Sequence, residues 1–315
     1  MQTKILITGS SGFLGQYLAQ YLAEKGYSTL AHTRIAQTFA HPNIININFD
    51  LNDNLDSVNL SEVEVVIHCA GRAHVMNETA ISPLEAYRQT NVQGTLNLAQ
   101  KAVKSGVKRF IYLSSIKVNG EQTTIQPFKQ SDAVNTDDPY GLSKYEAEQA
   151  LLELSKKTGL EVVIIRPVLI YGPNVKANFK SMVKLASKKL PLPIGCLDNK
   201  RSMVSVYNLA DLIHTCMTHP NANREVFLAS DQDDISVKQL FEKLAHYQNN
   251  KLLMLPVPKS LIGFLSSLVG KKSVASRLCS GLVVDSSKNT KVLGWTAPYT
   301  VDASLEKMFN FSHSK

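Results

Sequence analysis

The chain has 315 residues, with 34 Lys and Arg against 26 Asp and Glu, a formal net charge of +8. A hydrophobic share of 44% and the lack of any low-complexity tract exclude a disordered or fibrous chain and supply a full core. No apolar run approaches the ~18 residues of a membrane span, the basic residues form no long run or nucleic-acid module, and the positive excess suits an anionic ligand. No membrane or nucleic-acid partner is therefore expected. The cysteines, Cys69, Cys196, Cys216 and Cys279, form no C-x-x-C pair and have no histidine at metal-ligand spacing, so no metal is expected. Cys69 and Cys216 read as core thiols. The chain enters a strand almost at once, which leaves no room for a leader and makes the cytoplasm the expected compartment.

In chain order, a strand is expected at residues 4–8, a helix at 12–25, and strands at 28–32, 44–49 and 63–69. A helix at 83–105, a strand at 109–114, a helix at 139–158 and a strand at 161–166 follow. After Pro167 the rhythm becomes irregular, with Gly172-Pro173, Pro191, Pro193 and Gly195 around a short basic helix. Residues 205–230 read as a return to the sheet, with a strand at 226–228. Residues 231–315 read as mostly helical, with a turn at Leu293-Gly-Trp295 before a last helix. The apolar stretch 261–269 fits a buried helix of this region better than a membrane-surface helix.

Strands rich in Val and Ile, separated by helices, predict a parallel sheet covered on both faces. The right-handed crossover makes it doubly wound, with ligands at the carboxyl ends of the strands. The expected fold is thus an α/β, Rossmann-type domain with a smaller, mostly helical C-terminal lobe. Residues 1–170, completed by about 205–230, form the first; residues 171–204 and 231–315 form the second.

The first strand runs into Thr8-Gly9-Ser10-Ser11-Gly12-Phe13-Leu14-Gly15. Strand, glycine turn and helix are the setting in which a helix N-terminus holds a pyrophosphate. Gly9 permits the tight turn, Gly12 a close backbone approach, and Gly15 close helix packing. The spacing G-x-x-G-x-x-G differs from the usual G-x-G-x-x-G. The second strand ends Leu30-Ala31-His32-Thr33-Arg34, without the acid that reads an adenosine 2′-hydroxyl. Arg34 suits a 2′-phosphate, which favours NADP(H) with NAD as the other option; an exposed loop arginine would read the same way. Asp50 and Leu51, after the third strand, are placed to reach the adenine.

A second motif is Tyr140-Gly-Leu-Ser-Lys144, behind Asp138 as N-cap and Pro139 in the first turn. Tyr140 and Lys144 are four apart and share a helix face. An ammonium beside a phenol is expected to lower its pKa and let it exchange protons near neutrality. Ser114 and Ser115 close the strand at 109–114, on the edge where ligands lie. Each feature alone is common; together, in this order, they point to catalysis.

These residues resemble the extended short-chain dehydrogenase/reductase family and its nucleotide-sugar epimerase/dehydratase group. The likeness covers nearly the whole chain. It includes His68-Cys-Ala-Gly71, Asn91-Val-Gln-Gly-Thr95, Arg166-Pro167, Tyr171-Gly-Pro173, Arg201-Ser-Met-Val204 and Leu293-Gly-Trp295. The resemblance implies Ser115, Tyr140 and Lys144 as the catalytic set. It implies dinucleotide contacts from Gly9, Ser11, Gly12, Phe13, Leu14, Gly15, Arg34, Asp50, Leu51, Cys69, Ala70, Gly71, Asn91, Tyr140, Lys144, Pro167 and Val168. Ser115, Asn178 and Arg201 would meet the nucleotide sugar, Asn178 and Arg201 at its pyrophosphate. A homodimer through the helices at 83–105 and 139–158 is also implied.

Departures from the family pattern narrow the reaction. Ile116 and Lys117 stand where the 4,6-dehydratases carry Asp-Glu, which argues against water elimination. Asn119 replaces the tyrosine of V-Y-G. The wording Leu113-Ser-Ser-Ile-Lys-Val-Asn-Gly120, with Arg72-Ala-His-Val-Met76 upstream, is most similar to a bacterial subgroup of surface-polysaccharide synthesis, often named UDP-glucose 4-epimerase-like. That subgroup includes NADPH-dependent 4-reductases of UDP-4-keto-6-deoxy-N-acetylhexosamines, the leading expectation here. A UDP-sugar 4-epimerase with tightly bound NAD is the rival, and a non-catalytic dinucleotide sensor a remote alternative.

Overall fold

The computed structural model describes residues 2–73, 82–175, 177–188, 190–268 and 278–313. Seven strands form one sheet: β1 (Lys4–Thr8), β2 (Ser28–Thr33), β3 (Ile44–Asn48), β4 (Val63–His68), β5 (Arg109–Leu113), β6 (Glu161–Pro167) and β10 (Val226–Ala229). Their order is β10-β6-β5-β4-β1-β2-β3, and every pairing is parallel. The chain order reverses between β1 and β4, which opens a crevice at their carboxyl ends. All five residues of β5 are buried and β6 is buried after Glu161, as a sheet covered on both faces demands.

Alternation along the strands sends successive side chains to opposite layers. Ile5, Ile7, Ile67 and Ile111 pack with Leu14, Leu18 and Leu22 of α1 (Phe13–Glu24) and Leu209 and Ile213 of α6 (Val206–Thr218). Leu6, Val66, Phe110 and Tyr112 pack on the other face. There they meet Leu98 of α3 (Gly94–Lys104) and Leu151 of α4 (Pro139–Thr158). A third cluster joins Tyr171 and Phe179 to Met203, Phe241 and Leu305. It draws on β7 (Leu169–Tyr171), β9 (Met203–Ser205), α5 (Ala177–Ala186), α7 (Val237–His246) and α10 (Val301–His313).

The seven sheet strands and α4 lie where the sequence places them, within a residue or so. The helix expected at 83–105 is instead three pieces: α2 (Pro83–Arg88), a π-turn at Gln89–Gln93, and α3. The short β7 and β9, which pair in parallel, and β8 (Lys200–Arg201) and β11 (Ile235–Ser236), which pair antiparallel, escape the sequence reading. Two or three residues carry no usable period. Among the described residues, α8 (Lys259–Leu268) and α9 (Ser287–Leu293) complete the helices. Of the apolar stretch at 261–269, Val269 lies outside the described residues, as do His74, Val75 and Met76 of the upstream subgroup wording. No helix among the described residues is long and apolar enough to cross a membrane.

Candidate active site

Gly9 turns the chain out of β1 with φ of 72°. A Cβ there would lie 2.8 Å from the Ala70 amide nitrogen, so glycine alone lets this turn pass the end of β4. A Cβ on Gly15 would overlap the Gly9 carbonyl; the third glycine therefore seats α1 on the turn itself. Gly12 is the N-cap of α1, with no side-chain cap and no acid in the first turn. The first N–H groups of α1 are thus left for an anion, and the cradle fits a dinucleotide pyrophosphate. Ser11 is exposed beside it, Phe13 half-buried and Leu14 buried.

At the end of β2 the Thr33 side chain is buried. Its Oγ1 accepts from Asn46 Nδ2 at 2.8 Å and Asn48 Nδ2 at 3.1 Å. The position where an acid would read a ribose is therefore filled by an engaged hydroxyl, with Arg34 exposed beyond it. Asp50 is half-buried and accepts the Asn52 N–H at 2.9 Å. Leu51 is a core side chain.

A buried relay supports the crevice floor. Thr95 Oγ1 donates to the Asn91 carbonyl at 2.7 Å, so it accepts from His68 Nε2 at 3.0 Å. His68 Nδ1 is then the acceptor for Thr8 Oγ1 at 2.7 Å, which in turn accepts the Ala70 N–H at 3.2 Å. This proton order fixes one neutral tautomer, and burial holds the imidazole well below its usual pKa. Asn91, in the π-turn, bonds both ways with the Arg72 backbone and donates to Ser143 Oγ at 3.0 Å. It thereby ties the loop after β4 to α4 beside Gly71 and Lys144. A Cβ on Gly71 would sit 3.0 Å from Asn91 Oδ1 and 3.6 Å from Lys144 Nζ.

The α4 N-terminus is built as expected: Asp138 accepts the Gly141 N–H at 2.9 Å, with Pro139 in the first turn. Asp138 also pairs with Lys117 at 3.2 Å. Lys117, the residue that departs from the dehydratase pattern, thus neutralises the cap of the helix that carries Tyr140. Ser115 hydrogen-bonds Tyr140, and its Oγ accepts the Lys117 N–H at 3.2 Å. Lys144 is buried, with Nζ 4.3 Å from the centre of the Tyr112 ring.

The electrostatics correct one expectation. Burial pushes the Tyr140 phenol up to about 12, and the Ser115 hydrogen bond only partly opposes it. Lys144 does not depress it as the helical spacing suggested. Burial instead lowers the Lys144 ammonium itself to about 8. Burial also raises the thiol of half-buried Cys69 to about 12. Tyr140 is therefore a protonated donor at neutral pH, and Lys144 is the group that titrates nearby.

Pro167 ends β6, and the buried Val168 follows it, its N–H bonded to the Ala229 carbonyl at 3.2 Å. Asn178 is exposed in the first turn of α5. Arg201 is half-buried in β8, donates to the Ser280 carbonyl at 3.1 Å, and has its pKa lowered by burial. Asn119 does not face an open pocket: it accepts from Arg166 at 2.9 Å and donates to the Lys129 carbonyl at 2.8 Å. The sequence reading missed Glu148, which is fully buried and held by Arg166 and Ser114. Its one signal was the four-residue spacing from Lys144. Among the described residues no group of His, Cys, Asp and Glu is arranged to hold a metal.

A doubly wound sheet, a glycine turn at its reversal and a Tyr–Lys helix beside it define an enzyme of the extended short-chain dehydrogenase/reductase class. Within that class the chain belongs to the NAD dependent epimerase/dehydratase family, whose model matches residues 5–229. It is 44% identical over 311 residues to a UDP-glucose 4-epimerase of Vibrio cholerae, covering 98% of this chain and 94% of the relative. It is 29% identical to an N-acetyl-alpha-D-glucosaminyl-diphospho-ditrans,octacis-undecaprenol 4-epimerase of Escherichia coli O157:H7, covering 100% and 97%. The fold matches that of a UDP-glucose 4-epimerase of Thermotoga maritima solved with UDP-glucose. The TM-score is 0.79 at 21% identity, over 99% of both chains. The family and these relatives make the chain an enzyme of nucleotide-sugar epimerase/dehydratase type.

Proposed function

We propose that the chain performs hydride chemistry at C4 of a UDP-linked hexose, chiefly as an NADPH-dependent reductase of a UDP-4-keto-6-deoxy-N-acetylhexosamine. Such a product would serve surface-polysaccharide synthesis. The observation that supports the chemistry is the Ser115–Tyr140 hydrogen bond at the ligand edge of the sheet, with the buried Lys144 one turn along the same helix. A sensor that only bound the dinucleotide would have no use for that set.

The glycine turn and the α1 N-terminus would hold the pyrophosphate, with the loop at Cys69–Gly71 and Pro167–Val168 bordering the nicotinamide ribose and ring. The bound dinucleotide supplies a hydride for C4. Tyr140 donates its proton to the C4 oxygen, converting ketone to hydroxyl and leaving a phenolate. Ser115 donates to that oxygen as charge develops on it, and the Lys144 ammonium stabilises the phenolate. Asn178 and Arg201 would grip the sugar pyrophosphate, where a planar guanidinium suits phosphate oxygens. In this reading residues 1–170 and about 205–230 hold the dinucleotide, and residues 171–204 and 231–315 hold the sugar. It includes a cytoplasmic homodimer joined through α2, α3 and α4.

Reduction rather than epimerisation is favoured by the end of β2. Thr33, engaged by Asn46 and Asn48, and the exposed Arg34 replace an acid that would fix NAD. A reductase must exchange its dinucleotide at every turnover, whereas an epimerase keeps it. The second reading, 4-epimerisation with retained NAD, is favoured by what the relatives are named for. Analysis of the dinucleotide released from denatured purified protein, followed by NADPH and NADH titration, separates the two. The reductase reading expects no stoichiometric NAD and tighter binding of NADPH. Retained NAD without a preference for NADPH would overturn it in favour of the epimerase.

A further inference from the structure

Tyr140, Lys144 and Glu148 are spaced four apart on α4 and form one column on its buried face. Glu148 is fully buried, and three donors converge on its carboxylate. Arg166 reaches Oε1 from Nε at 2.9 Å and Oε2 from Nη2 at 2.6 Å, and Ser114 Oγ donates to Oε1. Arg166 spends its third arm on Asn119 at 2.9 Å. One carboxylate thus joins the end of β5, the end of β6 and α4. Buried ion pairs are a weak source of stability, so this arrangement asks for another role.

The surroundings of Lys144 supply one. The groups acting on it are Cys69 and His68 from β4 and its loop, the Tyr112 ring from β5 and Glu148 from α4, with Tyr140 one turn earlier on the same helix. The thiol and the phenol, both pushed up to about 12, are neutral at working pH. His68 is a neutral tautomer locked between Thr8 and Thr95. Among the described residues facing Lys144, Glu148 alone carries a negative charge.

We propose that Glu148 is a positioning residue which, in the site as read above, keeps the buried Lys144 ammonium charged beside Tyr140. Arg166 and Ser114 hold that carboxylate in place. The split between the two serines follows: Ser114 fixes the anion and Ser115 faces Tyr140. Arg166 is the counterweight, because removing it leaves Glu148 uncompensated and its field on Lys144 stronger.

The test reads Lys144 directly and needs no substrate. Protein carrying ¹³C-lysine is titrated by NMR, with the Lys144 resonance assigned by its loss in Lys144→Arg. Glu148→Gln is expected to move the Lys144 midpoint down by about one unit, and Arg166→Gln to move it up. Both variants break the same ion pair, so a purely structural role would shift both the same way. If one single variant does not fold, the other decides by the direction of its own shift from wild type, and the double variant Glu148→Gln/Arg166→Gln, which restores charge balance, serves as the control. Its midpoint is expected within a few tenths of a unit of wild type, and Glu153→Gln, exposed on the same helix, should leave the midpoint unmoved. A Glu148→Gln midpoint that does not fall, or an Arg166→Gln midpoint that does not rise, overturns the proposal. Failure to turn over any ketosugar would count against the assigned reaction and leave this titration interpretable.

Discussion

Ser114 and Ser115 are chemically identical neighbours with different work. At the end of an extended strand adjacent side chains point to opposite sides, so one hydroxyl meets Glu148 and the other Tyr140. The same contrast holds between Tyr140 and Lys144. Burial disfavours the charged form of each, raising the phenol to about 12 and lowering the ammonium to about 8. Tyr140 is thus protonated at neutral pH, the state the proposed ketone reduction needs. In that proposal Lys144 supplies the charge that receives the phenolate, and it loses that charge as pH rises through about 8. Turnover should therefore hold through neutrality and fall on the alkaline side of that value. Tyr140→Phe should cost about 10²- to 10⁴-fold in kcat, the usual weight of a positioned general acid, with dinucleotide affinity changed only a few-fold. Initial rates against pH and a fluorescence titration of the dinucleotide check both parts. A profile rising through pH 8 would contradict the assigned role of Lys144.

The strands were legible because buried parallel strands leave long Val and Ile runs, and α4 because Asp138-Pro139 marks its start and Gly159, at φ of 77°, its end. The glycine turn was legible because three glycines at fixed spacing after a strand have few other uses. The break in the helix at 83–105 was not. Gln89–Gln93 holds no proline or glycine to mark a break, and the π-turn is held by Asn91 contacts to Arg72 and Ser143, remote in sequence. Glu148 was equally hidden. A glutamate on a helix reads as solvated until the fold brings Arg166 and Ser114 onto it. Asn119 stood out as a departure from a pattern, yet only its contacts with Arg166 and Lys129 show that it braces the loop. The direction of the Tyr140 shift went wrong for a related reason. Spacing reports which groups share a face, and burial decides the sign.

At the scale of the whole molecule, Asp231 joins the sheet to the segments packed beyond it. It accepts from Tyr171 Oη at 2.7 Å, the Ser205 N–H at 2.8 Å and Asn208 Nδ2 at 2.6 Å. Asn208 in turn bonds both ways with the Tyr299 backbone. No cation compensates the carboxylate within this set, and burial raises it from its ordinary 3.8 to about 6. The folded chain thus favours the protonated form. That contribution is complete below the unfolded value and is lost as pH rises through about 6, at a cost of no more than roughly 3 kcal/mol. Asp231→Asn should melt near wild type in acid and at a higher temperature than wild type at pH above 6. A Tm difference independent of pH would contradict the assignment. The central claim, hydride chemistry at C4 with Tyr140 as acid, is tested most directly by isotope transfer. NADPH deuterated at the nicotinamide C4 is incubated with a UDP-4-keto-6-deoxy-N-acetylhexosamine, and the sugar is examined by mass spectrometry and NMR. Deuterium at C4 of the sugar with the wild-type protein, and its near absence with Tyr140→Phe, is the expected result. Label that remains in the dinucleotide, or arrives equally fast with Tyr140→Phe, would contradict it.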